Sequence, residues 1–274
     1  MKITAATRTF ALLGDPVSHS LSPAIQNAAI RAAAEDAVYV ALRCSSEFVT
    51  PLVRAIAHAG GGGNVTIPHK ALAAAAVDRP SDAVIATGAC NTFWLDNGQV
   101  RGENTDVAGF EAAASQLFGT MEGVSACVLG TGGAARAVVH AILRGGGEAT
   151  VVGRSTASLA VLERTFDSDA RLRTAVGFAP VAAGRFDLFV NATPVGMKGD
   201  DVVPIDLDTF PAIRAVIDLV YRAGGTALTR SAALRGIDAL DGREMLLAQG
   251  AAAFELWFGR KAPADAMRAA IADG

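Results

Sequence analysis

The sequence predicts an α/β protein in two parts, and three observations carry that prediction. Residues 124–143, VSACVLGTGGAARAVVHAIL, run from an apolar strand-like segment (Ser125–Leu129) through Gly130-Thr131-Gly132-Gly133-Ala134-Ala135 into a helix-forming segment, 134–143. Upstream, strand-type and helix-type segments alternate between Thr9 and Ala76, the rhythm of a parallel layer. Between these regions, Gly102-Glu103-Asn104-Thr105-Asp106-Val107-Ala108-Gly109 is polar and flanked by glycine, and we place the seam between two domains there.

Composition narrows the class. A chain of 274 residues accommodates one large or two medium cores, and 51% hydrophobic against 19% charged residues is a globular balance. The formal net charge of −3 gives no basic footprint, so no nucleic-acid partner is expected. No apolar run reaches the roughly 18 residues of a membrane span, and the first residues, MKITAATRTFALLGDP, lack a signal-peptide pattern. The expectation is a cytoplasmic protein without membrane association. Cys44, Cys90 and Cys127 are widely spaced, and His19, His58, His69 and His140 lack ligand spacing, so neither disulfide nor metal site is expected. Arg supplies 20 of the 24 basic residues, leaving only Lys2, Lys70, Lys198 and Lys261. That skew bears on chemistry, because Lys can give up a proton at useful pH and Arg cannot.

In order, a first strand spans 9–13 and leads into Gly14-Asp15-Pro16-Val17-Ser18-His19-Ser20-Leu21-Ser22-Pro23. Pro23 suits the first turn of a helix over 23–34, with Ser22 as its N-cap. Ser20 and Ser22, two hydroxyls just before a helix, can both point at an anion. A strand at 38–42 and a helix at 47–59 follow, the helix stopped by the glycines 60–63. Residues 64–67 form a third strand, and Pro68-His69-Lys70 precedes an alanine-rich helix over 71–76. Asp96-Asn97-Gly98 predicts a hairpin between strands at 91–95 and 99–102, and a helix runs over 107–117.

The turn after Leu129 fits the G-x-G-x-x-A form of the dinucleotide fingerprint. Its glycines admit a pyrophosphate to the backbone N–H groups at a helix N-terminus. The next strand, 150–152, ends in Gly153-Arg154-Ser155-Thr156 where an acidic residue would hold the ribose hydroxyl of NAD. Arg154 with two hydroxyls suits a 2′-phosphate, favouring NADP. Strands at 187–191 and 215–220 should also turn their carboxyl ends to the cofactor. Residues 244–257 read as an amphipathic helix with Gln249 on its apolar stripe, poised for an inter-helix bond or a substrate hydroxyl.

The blocks GDPVSHSLSP, NVTIPHK, GACNT, GENTDVAG, GTGGAARA, NATPVGM, DLVY and EMLLAQGAAAFELWFG stand in the order and rough spacing of the shikimate dehydrogenase family, which the chain resembles from Gly14 to Gly259. The resemblance implies a mixed α/β substrate domain, residues 1–106 and 243–274, and a Rossmann NADP-binding domain, 107–242, with a C-terminal helix returning to the first domain. It implies Lys70 and Asp106 as the catalytic pair and Ser20 and Ser22 on the substrate carboxylate, with Tyr221 nearby. Thr66, Asn91, Asp106 and Gln249 would hold the ring hydroxyls. Gly130, Thr131, Gly132, Gly133, Ala134, Arg154, Ser155, Thr193, Met197 and Leu219 would line the cofactor site.

Three positions depart from the family: Gln26 in place of a frequent His, Gly153-Arg154-Ser155 in place of Asn-Arg-Thr, and Arg222-Ala223 in place of Asn-Pro after Tyr221. The implied activity is reversible NADP-dependent reduction of 3-dehydroshikimate to shikimate, a step of chorismate and aromatic amino-acid biosynthesis. The Lys70 ammonium would stabilise and protonate the developing alkoxide, and Asp106 would keep that lysine charged. A quinate/shikimate or aminoshikimate dehydrogenase, possibly NAD-using, and a non-catalytic metabolite-binding member stand as alternatives. The implied partner is a small molecule, and the assembly a monomer or homodimer.

Overall fold

Two six-stranded sheets organise the chain, one in each of two units: Met1–Ala108 with Leu246–Gly274, and Gly109–Met245. The computed structural model describes residues 3–167, 169–197 and 202–272. No helix among the described residues is long and apolar enough to cross a membrane.

The first unit contains β1 (Arg8–Gly14), α1 (Ser22–Ala32), β2 (Ala37–Arg43), α2 (Ser46–His58), β3 (Gly62–Val65) and α3 (Lys70–Ala76). There follow β4 (Arg79–Pro80), α4 (Asp82–Thr87), β5 (Thr92–Asp96), β6 (Gln99–Glu103) and the start of α5 (Thr105–Phe118). The strand order is β2-β1-β3-β5-β6-β4. β1 is parallel to both β2 and β3, whereas β5 runs antiparallel to β3 and β6, so the sheet is mixed. Side chains alternate across β1 with period two: Phe10 and Leu12 join one apolar cluster with Ile25, Tyr39 and Phe254, and Ala11 and Leu13 join another with Val49, Val53 and Phe93.

Glycine decides where β3 lies. A Cβ at Gly61 would stand 1.9 Å from the Thr9 carbonyl, and one at Gly63 would stand 2.1 Å from that of Ala11. The backbones of β3 and β1 approach so closely that side chains are excluded, and glycines that read as a helix stop are in part a strand. Gly60, at φ +81°, does end the α2 segment, but the strand is Gly62–Val65, and Thr66 and Ile67 lie beyond it.

The second unit holds β7 (Ser125–Leu129), α6 (Gly133–Arg144), β8 (Glu148–Gly153), α7 (Thr156–Thr165), β9 (Leu172–Val176), β10 (Leu188–Asn191) and β11 (Ala215–Asp218). α8 (Ala227–Ala233), β12 (Asp238–Leu240) and the start of α9 (Gly242–Phe258) complete it, and α10 (Ala264–Ala269) belongs to the first unit. Its strands are all parallel in the order β12-β11-β10-β7-β8-β9. Read from β9, that is the 3-2-1-4-5-6 order of the doubly wound dinucleotide-binding fold, with its switch point between β7 and β10. β9 and β12, which form the two edges of this sheet, lie outside the strands that the sequence predicts.

Two local expectations are corrected. Ser22 does not cap α1; it is the first helical residue, Leu21 stands at the cap position, and no side chain caps that end. The Ser22 N–H is met instead by Ser20 Oγ, at 3.2 Å. Nor is α9 amphipathic: from Gly242 to Phe258 only Glu255 is exposed, and a helix apolar around most of its circumference is a buried one.

The C-terminal half of α9 anchors the first unit's core. Phe254 is fully buried with its ring 4.5 Å from Phe258, and Phe10 stacks 4.9 Å from Trp257. Phe254→Ala is expected to destabilise the protein by about 3–5 kcal/mol, read from urea midpoints at unchanged slope. A loss below about 1 kcal/mol would show that α9 is not part of this core.

Candidate functional site

In the first unit the topology gathers polar residues at one end of the sheet. β1 and β3 are parallel, so the loops after Gly14 and Val65 emerge together, and Asp15 N–H reaches the Ile67 carbonyl at 3.0 Å. β5 runs the other way, so its first residues lie at the same end, and the Val65 N–H donates to the Asn91 carbonyl at 2.8 Å. β6 returns to that end and delivers Asn104, Thr105 and Asp106 into the first turn of α5.

Lys70 opens α3, the end of a helix least favourable to a cation, and its Nζ donates to Asp106 Oδ2. Both side chains are largely withdrawn from water, at 13% and 9% exposure. The second oxygen, Asp106 Oδ1, accepts from Asn91 Nδ2 at 2.8 Å. Asn91 is fixed in turn: its Oδ1 accepts from Thr105 N–H at 2.8 Å, Thr92 Oγ1 at 2.9 Å and Thr105 Oγ1 at 3.1 Å. Beneath it, Thr92 Oγ1 accepts from Asn64 Nδ2 at 2.9 Å, and Asn64 Oδ1 accepts from the buried Tyr39 hydroxyl at 2.7 Å. Gln249 reaches the array at its edge, with Thr105 Oγ1 at 3.5 Å and its own Nε2 on the Leu246 carbonyl at 2.9 Å.

The sequence-based set is therefore partly assembled. Lys70, Asn91, Asp106 and Gln249 share one hydrogen-bonded array. Ser20 and Ser22 form a separate pair, their hydroxyls 3.2 Å apart, with no hydrogen bond to that array among the described residues. The Thr66 hydroxyl has no protein partner among the described residues, and its methyl would lie 2.4 Å from a Cβ at Gly14, so glycine there makes room for it. Tyr39, Asn64, Thr92 and Thr105 were missed; the available signal was polar residues in the strands for the first three, while Thr105 opens a helix. The departing Gln26 is buried and donates to the Gly250 carbonyl at 2.9 Å, tying α1 to α9.

In the second unit the fingerprint turn follows β7. Gly130 has φ +121°, open to glycine alone, and a Cβ there would stand 2.8 Å from the Ala192 carbonyl. Gly132 caps α6 without a side-chain bond, and a Cβ on it would meet nothing within 4 Å. Open space above an uncapped helix N-terminus, led into by Gly133 and Ala134, fits a pyrophosphate. Thr131 packs by its methyl where a Cβ of Gly153 would stand, 2.9 Å away, which sets the turn beside Arg154. Arg154 is exposed and without an ion pair or hydrogen-bond partner among the described residues. Ser155 caps α7, accepting Ser158 N–H at 3.3 Å, so one lone pair of its hydroxyl is already used. Thr193 and Met197 lie in the loop after β10, and Leu219 and Tyr221 in the loop after β11.

Burial pushes the thiols of Cys90 and Cys127 up to about 12 and raises Cys44 as well.

Sheet order, turn and lysine–carboxylate array define a dinucleotide-binding α/β protein that carries a second, polar cluster of withdrawn side chains. More particularly, the chain belongs to the shikimate dehydrogenase family. The models of the shikimate dehydrogenase substrate binding domain and the shikimate 5′-dehydrogenase C-terminal domain match residues 12–93 and 242–272. The NADP(+) shikimate dehydrogenase of Synechocystis sp. is 37% identical over 280 residues, covering 98% of this chain and 96% of its own. The crystal structure of shikimate dehydrogenase from Aquifex aeolicus superposes with a TM-score of 0.89 at 32% identity, over 99% of this chain and 100% of that one. The Thermus thermophilus shikimate 5-dehydrogenase, solved in complex with NADP(H) and shikimate, gives 0.84 at 35% identity, over 96% and 98%.

At pH 8, far below the ionisation of Cys90 and Cys127, iodoacetamide is expected to leave both thiols unmodified in the folded protein and to label them after unfolding. Rapid labelling of either in the native state would contradict the burial described.

Proposed function

We propose that this chain is an NADP-dependent oxidoreductase that reversibly reduces 3-dehydroshikimate to shikimate. The observation that carries the proposal is the Lys70–Asp106 pair, shielded from water and oriented by Asn91, in a chain of this family. An ammonium has three N–H donors, and Asp106 is the one protein acceptor of Lys70 Nζ among the described residues. The remaining N–H groups are free for a substrate oxygen.

The residues fit the cofactor. The open space over Gly132 and the left-handed Gly130 suit the pyrophosphate, and Arg154, exposed and without a partner among the described residues, suits a 2′-phosphate. When bound, NADPH supplies the hydride. Lys70 Nζ hydrogen-bonds the carbonyl oxygen, stabilises the negative charge that develops there, and gives it a proton. Asp106, anchored by Asn91, holds the Lys70 Nζ in place for that transfer. We assign Ser20 and Ser22 to the substrate carboxylate, with Tyr221 nearby, and Thr66, Asn91, Asp106 and Gln249 to the ring hydroxyls. On this assignment the first unit binds substrate and the second binds NADP.

Lys70→Ala is expected to lower kcat by about 10²–10⁴ while NADP⁺ binding stays at the wild-type level. Lys70→Arg should not restore turnover, since guanidinium binds an oxygen but does not give up its proton. Near-normal turnover in either folded variant would remove Lys70 from the mechanism. Arg154→Ala is expected to raise KM for NADPH well above its effect on NADH; equal effects would show that Arg154 does not read the 2′-phosphate.

A further inference from the structure

Across β10 and β11, Asn191 and Asp218 are register partners at the last residue of each strand. They are 0% and 1% exposed, an amide and a carboxylate where the rest of both strands is apolar. Burying such groups is unfavourable unless every polar atom is used, and here the use is specific. Asn191 Oδ1 accepts the N–H and hydroxyl of Thr193, at 3.2 and 2.6 Å. Its Nδ2 donates to the Val195 carbonyl at 3.1 Å and to Asp218 Oδ1 at 2.8 Å. All hydrogen-bonding positions of the amide are thereby filled. Asp218 Oδ1 also accepts Val220 N–H at 3.1 Å, the Thr226 hydroxyl bonds the same carboxylate, and Leu219 N–H reaches the Asn191 carbonyl at 2.9 Å. One buried pair thus holds two separate loops, 192–197 and 219–221.

Sheet order says what those loops face. β7, with the fingerprint turn, lies between β8 on one side and β10 and β11 on the other. A dinucleotide crosses the carboxyl ends of such strands at the switch point. With its adenosine phosphate at Arg154, after β8, its second nucleotide lies over the loops after β10 and β11. We infer that Asn191 and Asp218 are positioning residues for the nicotinamide half of the cofactor, ordering both loops before it binds. The inference rests on the NADP assignment above. Two close approaches agree with it: Gly130 against the Ala192 carbonyl, and Gly242, where a Cβ would stand 2.2 Å from the Leu219 carbonyl. Burial raises the Asp218 carboxyl, and the bonds from Thr226, Val220 and Asn191 pull it back.

The test compares NADP⁺ with 2′-phospho-ADP-ribose, which lacks nicotinamide, by titration calorimetry on the full chain. Asp218→Ala and Asn191→Ala are expected to weaken NADP⁺ by about tenfold or more, since loops left unordered must be ordered on binding. Both variants should change the affinity for 2′-phospho-ADP-ribose by less than about threefold, because preorganisation is lost only where the loops are used. Asp218→Asn keeps an acceptor for Asn191 and Val220, and should stay within about threefold of wild type for both ligands. Equal losses for the two ligands, no loss for either, or failure of both alanine variants to fold would assign the pair to the fold alone and overturn the inference. A wild-type chain that bound neither ligand would overturn the NADP assignment and this inference together.

Discussion

A lysine–carboxylate pair cannot be withdrawn from water unless its remaining polar atoms are met, and much of the first unit serves that requirement. Removing both charges from solvent is unfavourable by several kcal/mol per ion, repaid only with good geometry and additional hydrogen bonds. Asp106 meets the condition with Lys70 on one oxygen and Asn91 on the other. Asn91 meets it by accepting from Thr92 and Thr105, and the line continues through Asn64 in β3 to Tyr39 in the edge strand β2. Among the described residues Lys70 Nζ has Asp106 as its one protein acceptor, the asymmetry that the proposed role as proton donor needs: a group held in place on one side and available on the other.

The second unit solves a different problem by similar means. A dinucleotide is long and must be met at several points, so besides the loop after β8 that carries Arg154 the sheet presents three more at its carboxyl end. Glycine sets the first, where Gly130 takes a left-handed backbone and Gly132 leaves space. A buried amide–carboxylate pair holds the other two. In both units, buried polar groups at strand ends fix the loops that carry chemistry, while the apolar strand interiors keep the sheet together.

Much of this was legible in the sequence. The strand at Ser125–Leu129 and the helix after it stood out because an apolar run, a glycine turn and a helical period follow one another without a break. Lys70, Asn91 and Asp106 were marked by short motifs, and the first by being one of few lysines in an arginine-rich chain. Other features were hidden for physical reasons. Gly62 and Gly63 look like loop residues, because only the closeness of the neighbouring strands, β5 at Gly62 and β1 at Gly63, explains a strand without side chains there. Ser22 resembles a helix cap, but Ser20 already takes its N–H. Asn191 and Asp218 each interrupt an apolar run and Asn64 follows a glycine run, and the bonds Asn191–Asp218, Asn64–Tyr39 and Asn64–Thr92 join residues at least 25 apart in the chain. The edge strands β9 and β12 have too few buried side chains to leave a pattern.

The most direct test is the initial rate of cofactor reduction by the purified chain, with shikimate and quinate each crossed against NADP⁺ and NAD⁺. The arrangement of Lys70 and Asp106 together with the exposed Arg154 predicts that shikimate with NADP⁺ gives the dominant rate. Comparable rates with quinate or NAD⁺ would contradict the assigned specificity, and no turnover with any pair, in protein that still binds NADP⁺, would contradict the assigned reaction.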